Sequence, residues 1–216
     1  MRRRGRLITF EGLEGGGKST QIARLAERLR ESGREILVTR EPGGTAAGEI
    51  IREILQHDRV AEPISPEAEA LLFAASRAHL VRQVILPALR GGTWVLCDRF
   101  ADSTTAYQGF GRGLPMPAIV AVNALAVGPA TPDLTILLDI DVGAGLARLR
   151  RRRGGPRRRD RIEREARRFH EKVRQGYLAL AARNPDRFRV IATDRPAREV
   201  QADVWRVVTD AFGCEI

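Results

Sequence analysis

Residues 12–19 read Gly12-Leu-Glu-Gly-Gly-Gly17-Lys18-Ser19, and the fold follows from this stretch. It fits the pattern G-x-x-x-x-G-K-[ST], in which a glycine-rich backbone turns its N–H groups inward around phosphates. Of the 37 basic residues only two are lysines, so a lysine here needs a local reason. A compact ammonium sits as a point charge between β- and γ-phosphates, where the planar guanidinium fork is too wide. Ser19 offers a hydroxyl to Mg²⁺. Gly12, Leu13, Glu14, Gly15, Gly16, Gly17, Lys18, Ser19 and Thr20 are therefore the candidate ATP-binding residues, with Lys18 also a candidate catalytic group.

The flanks support this reading. Residues 7–10 form a short apolar run, expected to be a buried strand, and Ile22, Leu25, Ala26 and Leu29 recur at helical spacing until Gly33. Strand, glycine loop and helix place phosphates on a helix N-terminus. Further strands are expected at 35–39, 94–97, 134–138 and 188–191, and helices at 46–56, 66–90, 115–127, 142–152, 161–183 and 198–212. Such alternation predicts an α/β protein of the P-loop NTPase class, with a five-stranded parallel sheet flanked by helices on both faces. One domain over residues 1–216 is expected, with ligands at the carboxyl ends of the strands.

Composition narrows the function classes. Cys97 and Cys214 give no disulfide framework, and His57, His79 and His170 lack metal-ligand spacing. The arginines near the start precede only four mainly apolar residues, too few for a signal peptide, and no later segment is long and apolar enough for a membrane span. A cytoplasmic protein with no membrane partner is expected. The net charge of +10 is concentrated in residues 1–6 and 148–161, which leaves the rest of the chain near neutrality. A nucleic-acid binder spreads basic charge over a face, so no nucleic-acid partner is expected. A nucleic-acid-dependent ATPase is the alternative from a different class, and salt-sensitive stimulation by DNA or RNA would reveal it. A regulatory GTPase is excluded by the absence of the guanine-reading Asn/Thr-Lys-x-Asp motif.

Asp98 and Asp139 each end an apolar strand, and either could be the Mg²⁺-side carboxylate. Asp98 is favoured because Arg99 beside it can grip a second phosphate. Together, Glu11-Gly-Leu-Glu-Gly-Gly-Gly-Lys-Ser, Thr39-Arg-Glu-Pro-Gly-Gly-Thr45, Leu71-Leu-Phe-Ala-Ala75, Asp98-Arg-Phe-Ala-Asp-Ser-Thr-Thr-Ala-Tyr-Gln108 and Asp160-Arg-Ile-Glu163 resemble the bacterial thymidylate kinases, in order and at similar spacings.

The resemblance implies transfer of the γ-phosphoryl of Mg·ATP to dTMP, giving ADP and dTDP on the way to dTTP, by an enzyme that is typically a homodimer. A kinase for another nucleoside monophosphate or a deoxynucleoside is the nearest alternative. The acceptor phosphate is already an anionic nucleophile, so positioning and charge neutralisation carry the chemistry. By resemblance, Arg99 bridges acceptor phosphate and transferring group, Arg52 holds the acceptor phosphate, and Glu14 faces the 3′-hydroxyl. Phe73 stacks on thymine, Arg77 bonds its carbonyl, Thr104 and Gln108 read the base edge, and Tyr107 crowds C2′. Arg148 and the Thr193-Asp-Arg195 loop are adenine candidates by position.

Residues 150–161 hold a dense arginine run broken by Gly154-Gly155-Pro156, as a mobile lid would be. Thymidylate kinases keep a catalytic arginine either in the phosphate loop or in the lid. Here Gly15 and Gly16 occupy the loop positions where an arginine could stand, so the chain resembles the lid-arginine form. Arg153 and Arg161 are the candidate catalytic arginines.

Overall fold

The computed structural model describes residues 4–56, 62–152 and 160–215. Five strands, β1 (Leu7–Glu11), β2 (Ile36–Arg40), β3 (Trp94–Asp98), β4 (Leu134–Asp139) and β5 (Phe188–Ala192), form one sheet in the order β2-β3-β1-β4-β5. Every pairing is parallel. Strands β1 to β4 end on Glu11, Arg40, Asp98 and Asp139, so four charged side chains gather at the carboxyl edge of an otherwise apolar sheet.

The period-two alternation of buried strands divides the core. Ile8 and Phe10 of β1 face α1 (Lys18–Glu31) and α9 (Ala197–Phe212), packing with Leu25, Leu29, Val204 and Val208. Leu7 joins Val95 and Cys97 against Leu80, Val81, Ile85 and Leu89 on the opposite face. Those last residues lie on α3 (Pro66–Leu80), a π-helical turn at Val81–Ile85, and α4 (Leu86–Arg90). The single helix expected over 66–90 is thus widened midway. Pro87 has no N–H, and its ring would strike the carbonyl four residues earlier, so the chain opens before it.

The remaining helices are α2 (Ala46–Gln56), α5 (Ala101–Thr104), α6 (Met116–Val127), α7 (Val142–Arg152) and α8 (Arg167–Arg183). One sequence expectation is corrected and one element is added. The helix expected from 161 starts at Arg167, because Asp160 and Glu163 exchange side-chain-to-backbone hydrogen bonds of 2.7 and 3.2 Å that close a turn instead. The stretch 101–111, for which the sequence reading gives a motif and assigns no element, is helical, with α5 running into a π turn at Thr105–Gly111. Its Ser, Thr and Gly residues have weak helix propensity, so tertiary packing against α8 decides its form.

One contact fixes α7 on the phosphate loop. A Cβ on Gly15 would lie 2.3 Å from the Gly145 carbonyl oxygen, and one on Gly145 would lie 2.7 Å from that of Glu14. The two backbones touch, with no room for a side chain on either.

Candidate active site

At the carboxyl edge the loop after β1 wraps the N-terminus of α1. Gly12, Gly15 and Gly17 have φ of 129°, 79° and 90°, which only glycine adopts without strain. Lys18 is buried, and its Nζ donates to the carbonyls of Gly12 and Leu13 at 3.0 and 3.1 Å. Desolvation, with Arg99 nearby, lowers its pKa. Ser19 Oγ donates to Asp98 Oδ2 at 3.1 Å, whereas Asp139 is engaged by Arg174 at 2.7 and 2.8 Å. Of the two candidate carboxylates, Asp98 therefore stands beside the loop hydroxyl. A hydroxyl and a carboxylate at the mouth of a phosphate loop form a hard oxygen pair suited to Mg²⁺, which takes few protein ligands and shares the rest with phosphates and water.

Three cavities meet at this edge. A polar one of about 300 Å³ is lined by Lys18, Ser19, Arg40, Glu41, Arg52, Asp98, Arg99, Asp160 and Glu163. Arg52 holds its place there by donating to the Pro42 carbonyl at 2.9 Å, and burial lowers its pKa. A second, of about 370 Å³, runs over Gly15 to Gly17, Thr20, Arg148, Thr193 and Arg195. The third is narrow and lined by Phe73, Arg99, Ser103, Thr104, Tyr107, Gln108 and Ile162. Glu14 lines all three, and Gly15 lines the two larger ones.

Glu14 is held there by Arg99, which pairs with it through Nη2. Desolvation in the cleft would raise the Glu14 pKa, but the charges of Arg99 and Lys18 outweigh it and bring it down to about 2. A carboxylate in an anion cradle is thereby neutralised by its neighbours and turned to the junction. Arg99 itself has φ 71°, a left-handed conformation that is uncommon for a residue with a Cβ. Its guanidinium also donates to Ser103 Oγ at 3.2 Å and to the hydroxyls of Tyr107 and Tyr177, both at 3.1 Å. Beneath lies Glu11, fully buried, accepting from Phe100 N, Ser103 Oγ and Tyr177 OH at 2.8, 2.6 and 2.8 Å. Burial, with Asp102 nearby, pushes the Glu11 carboxyl up to about 7.

In the narrow cavity the sequence-read set is partly regrouped. Phe73, Thr104, Tyr107 and Gln108 line the wall. Arg77 is only 1% exposed and lies behind them, bonding Glu41 at 2.8 Å, Asn123 at 2.9 Å, the Phe100 carbonyl at 3.2 Å and Thr104 Oγ1 at 2.9 Å. The reason is electrostatic: Glu41 is buried, and an unpaired carboxylate there would be costly. Burial nonetheless pushes Glu41 up to about 7 against the pull of Arg77. Because Thr104 Oγ1 accepts from Arg77, its own proton is available to another acceptor.

Of the arginines singled out in the lid, Arg153 lies outside the described residues. Arg161 pairs with Glu69 and donates from its backbone and Nε to the carbonyls of Gln56 and Leu55 at 3.1 and 3.2 Å. It is anchored to the end of α2, not among the phosphate-cavity side chains.

Sequence reasoning gave no role to Glu11, Glu41, Glu69, Ser103 or Tyr177. Glu11 carried a signal, an acid at the end of an apolar strand next to the loop. Glu69 and Tyr177 carried none, being helix residues whose partners are 39 and 166 positions away.

A parallel sheet ordered β2-β3-β1-β4-β5, a glycine loop on α1 and adjoining polar cavities define a P-loop nucleotide-binding phosphotransferase. Comparison with known proteins narrows the class. A family model described as thymidylate kinase matches residues 10–204. A thymidylate kinase from Deinococcus radiodurans is 50% identical over 206 residues, covering 95% of this chain and 97% of the relative. One from Thermomicrobium roseum is 52% identical over 205 residues, covering 95% of each. The crystal structure of thymidylate kinase from Ehrlichia chaffeensis superposes with a TM-score of 0.77 at 34% identity, over 95% of this chain and 99% of that one. The chain belongs to the thymidylate kinase family.

Proposed function

We propose that this enzyme transfers the γ-phosphoryl group of Mg·ATP to dTMP, producing dTDP and ADP. The observation that carries this reading is the junction at Glu14 and Arg99, which line both the polar cavity and a narrow pocket walled by an aromatic ring, a hydroxyl and an amide. ATP lies along the loop with its base toward Arg148 and Thr193, and dTMP enters from the Phe73 side with its phosphate toward Arg52 and Arg99. Ser19 and Asp98 would hold Mg²⁺, which when bound neutralises charge on the β- and γ-phosphates.

The protein's own groups then position the acceptor. Arg99 is fixed by four oxygens, on Glu14, Ser103, Tyr107 and Tyr177, before any substrate arrives, so its reorganisation on binding is small. Lys18 exchanges its loop carbonyls for phosphate oxygens. Glu14 accepts from the sugar hydroxyl, and Tyr107 fills the space a 2′-hydroxyl would need. Arg153 or Arg161 supplies lid charge during transfer, and residues at about 150–161 close over the phosphates.

The same reading includes a homodimer in the cytoplasm. Its support is an apolar face on the packed helices α3 and α6, where Leu71, Val120 and Leu125 are 57%, 59% and 78% exposed. Among the described residues no helix is long and apolar enough to cross a membrane. The function is tested by coupled ADP release with Mg·ATP across the common nucleoside monophosphates. We expect dTMP to be the best acceptor, and a preference for AMP, CMP or GMP would overturn the reading.

A further inference from the structure

The mechanism above gives no part to Glu69, a buried carboxylate behind the narrow pocket. Glu69 on α3 is 1% exposed and takes up Gln108 Nε2 at 2.7 Å on Oε1, Arg112 Nε and Nη2 at 3.1 Å each, and Arg161 on Oε2. Gln108 is itself 1% exposed and lines the narrow cavity. We propose that Glu69 is a specificity-determining residue, which acts through Gln108 by fixing which end of that amide the pocket presents to the pyrimidine.

The argument is one of donor and acceptor counting. A free glutamine reads a base edge in either sense, because its oxygen and its NH₂ exchange places by a half-turn about the last side-chain bond. An ionised carboxylate only accepts, so it tolerates only the NH₂ end of Gln108. Desolvation opposes ionisation of Glu69, but bonds from Arg112 and Gln108 outweigh it and lower its pKa, so the carboxylate stays charged. Turning the amide over would set Oε1 against that carboxylate with both groups buried, two acceptors facing each other with no proton between them. Among the described residues none donates to Gln108 Oε1, which remains the acceptor end at the cavity.

That polarity discriminates between pyrimidines. Thymine carries a donor at N3, whereas cytosine carries a lone pair there and an amine at C4. An acceptor fixed in the wall pairs with the first and repels the second. Replacing Glu69 by an amide, which donates as well as accepts, lets Gln108 turn and removes the preference.

This inference rests on the dTMP reading, and the experiment separates the two. The ratio of kcat/KM for dTMP to that for dCMP is measured with Mg·ATP in the wild-type protein, in Glu69→Gln and in Glu165→Gln. We expect Glu69→Gln to lower the ratio about tenfold or more, the scale of one matched hydrogen-bonding edge. Glu165→Gln removes the other partner of Arg112, so it breaks part of the same ion-pair cluster without touching Glu69 or Gln108, and should keep the ratio, which a merely structural role for the cluster would not predict. A ratio unchanged in Glu69→Gln overturns the inference while the dTMP reading stands. A wild-type protein that does not prefer dTMP overturns both. Should Glu69→Gln fail to fold, the wild-type side-chain amide decides by NMR, its signal assigned by loss in Gln108→Asn. One slowly exchanging Gln108 NH₂ proton in the nucleotide-free protein supports the fixed orientation, and two fast ones overturn it.

Discussion

The donor half of the cleft is built from backbone and the acceptor half from side chains. On the donor side, Gly12, Gly15 and Gly17 set the shape through positive φ, and Lys18 rests on two loop carbonyls, all within eight consecutive positions. On the acceptor side the residues that form or back the wall are held by charged partners far along the chain: Arg77 by Glu41, 36 residues away, Gln108 by Glu69, 39 away, and Arg99 by Glu14, 85 away. A backbone cradle has few sequence solutions, because only glycine makes the turns. A pocket held by ion pairs has many. The first is legible as a motif, whereas the second becomes visible only when the fold brings its partners together.

The comparison breaks most sharply at Lys18. If the donor side works through backbone and one point charge, Lys18→Ala should lower turnover by at least about 10³-fold, the scale of a single positive charge in phosphoryl transfer. Unfolding should change little, since the buried ammonium is already disfavoured by desolvation. Steady-state kinetics beside thermal melting checks both, and near-normal turnover would remove Lys18 from the phosphate site.

At Arg77 the balance reverses. Removing this side chain leaves Glu41 buried without its cation, so Arg77→Ala should cost about 3 kcal/mol of stability in urea unfolding. It should raise the KM for dTMP through loss of Thr104's support while the KM for ATP holds. Adding Glu41→Gln should recover part of the stability, because no charge is then stranded. A variant as stable as the wild type would mean that the pair does not hold the acceptor wall.

How far the sequence could be read follows the same division. The strands, the sheet class, the phosphate loop and the position of Asp98 at a strand end were within reach, because period-two burial, glycine spacing and strand ends are local. What Arg77 and Arg161 touch was not, for a surplus of arginines in sequence does not say which of them a buried carboxylate will claim. Gly15 shows a subtler limit. Sequence comparison presents it as a place where an arginine could stand, but its φ of 79° and the Gly145 carbonyl at 2.3 Å from any Cβ forbid a side chain. Gly16 is less restricted, with nearest atoms at 3.2 Å and no positive φ.

Tyr107 gives a smaller effect, and it sharpens the contrast within the acceptor side. Its ring is packed edge-on against Phe169 and Tyr177, and its hydroxyl accepts from Arg99. If the ring excludes a 2′-hydroxyl, Tyr107→Phe should keep discrimination between dTMP and its ribonucleotide, while Tyr107→Ala relaxes it about tenfold. Equal discrimination in all three proteins would assign the exclusion elsewhere.

The smallest expected effect lies where the two halves meet, and its pH dependence identifies it. Glu14 pairs with Arg99 and sits near Lys18, which lower its folded-state pKa from 4.5 to about 2. A carboxylate whose pKa is depressed by folding stabilises the protein above its unfolded pKa and loses that contribution as the pH falls through the folded one. Glu14→Gln should therefore be less stable than the wild type at neutral pH, by about 1 kcal/mol once the partial exposure of the carboxylate is allowed for. The difference should be constant down to a pH near 4.5 and narrow from there toward 2. Comparing the two proteins cancels the opposite contribution of Glu11 and Glu41, whose raised pKa values lower stability as the pH rises from 4.5 toward 7 in both. Melting temperatures taken side by side at steps of pH test this directly. A gap that stays the same throughout the acid range would mean that Glu14 is solvated at the loop tip, and that the junction between the cavities is held by Arg99 without it.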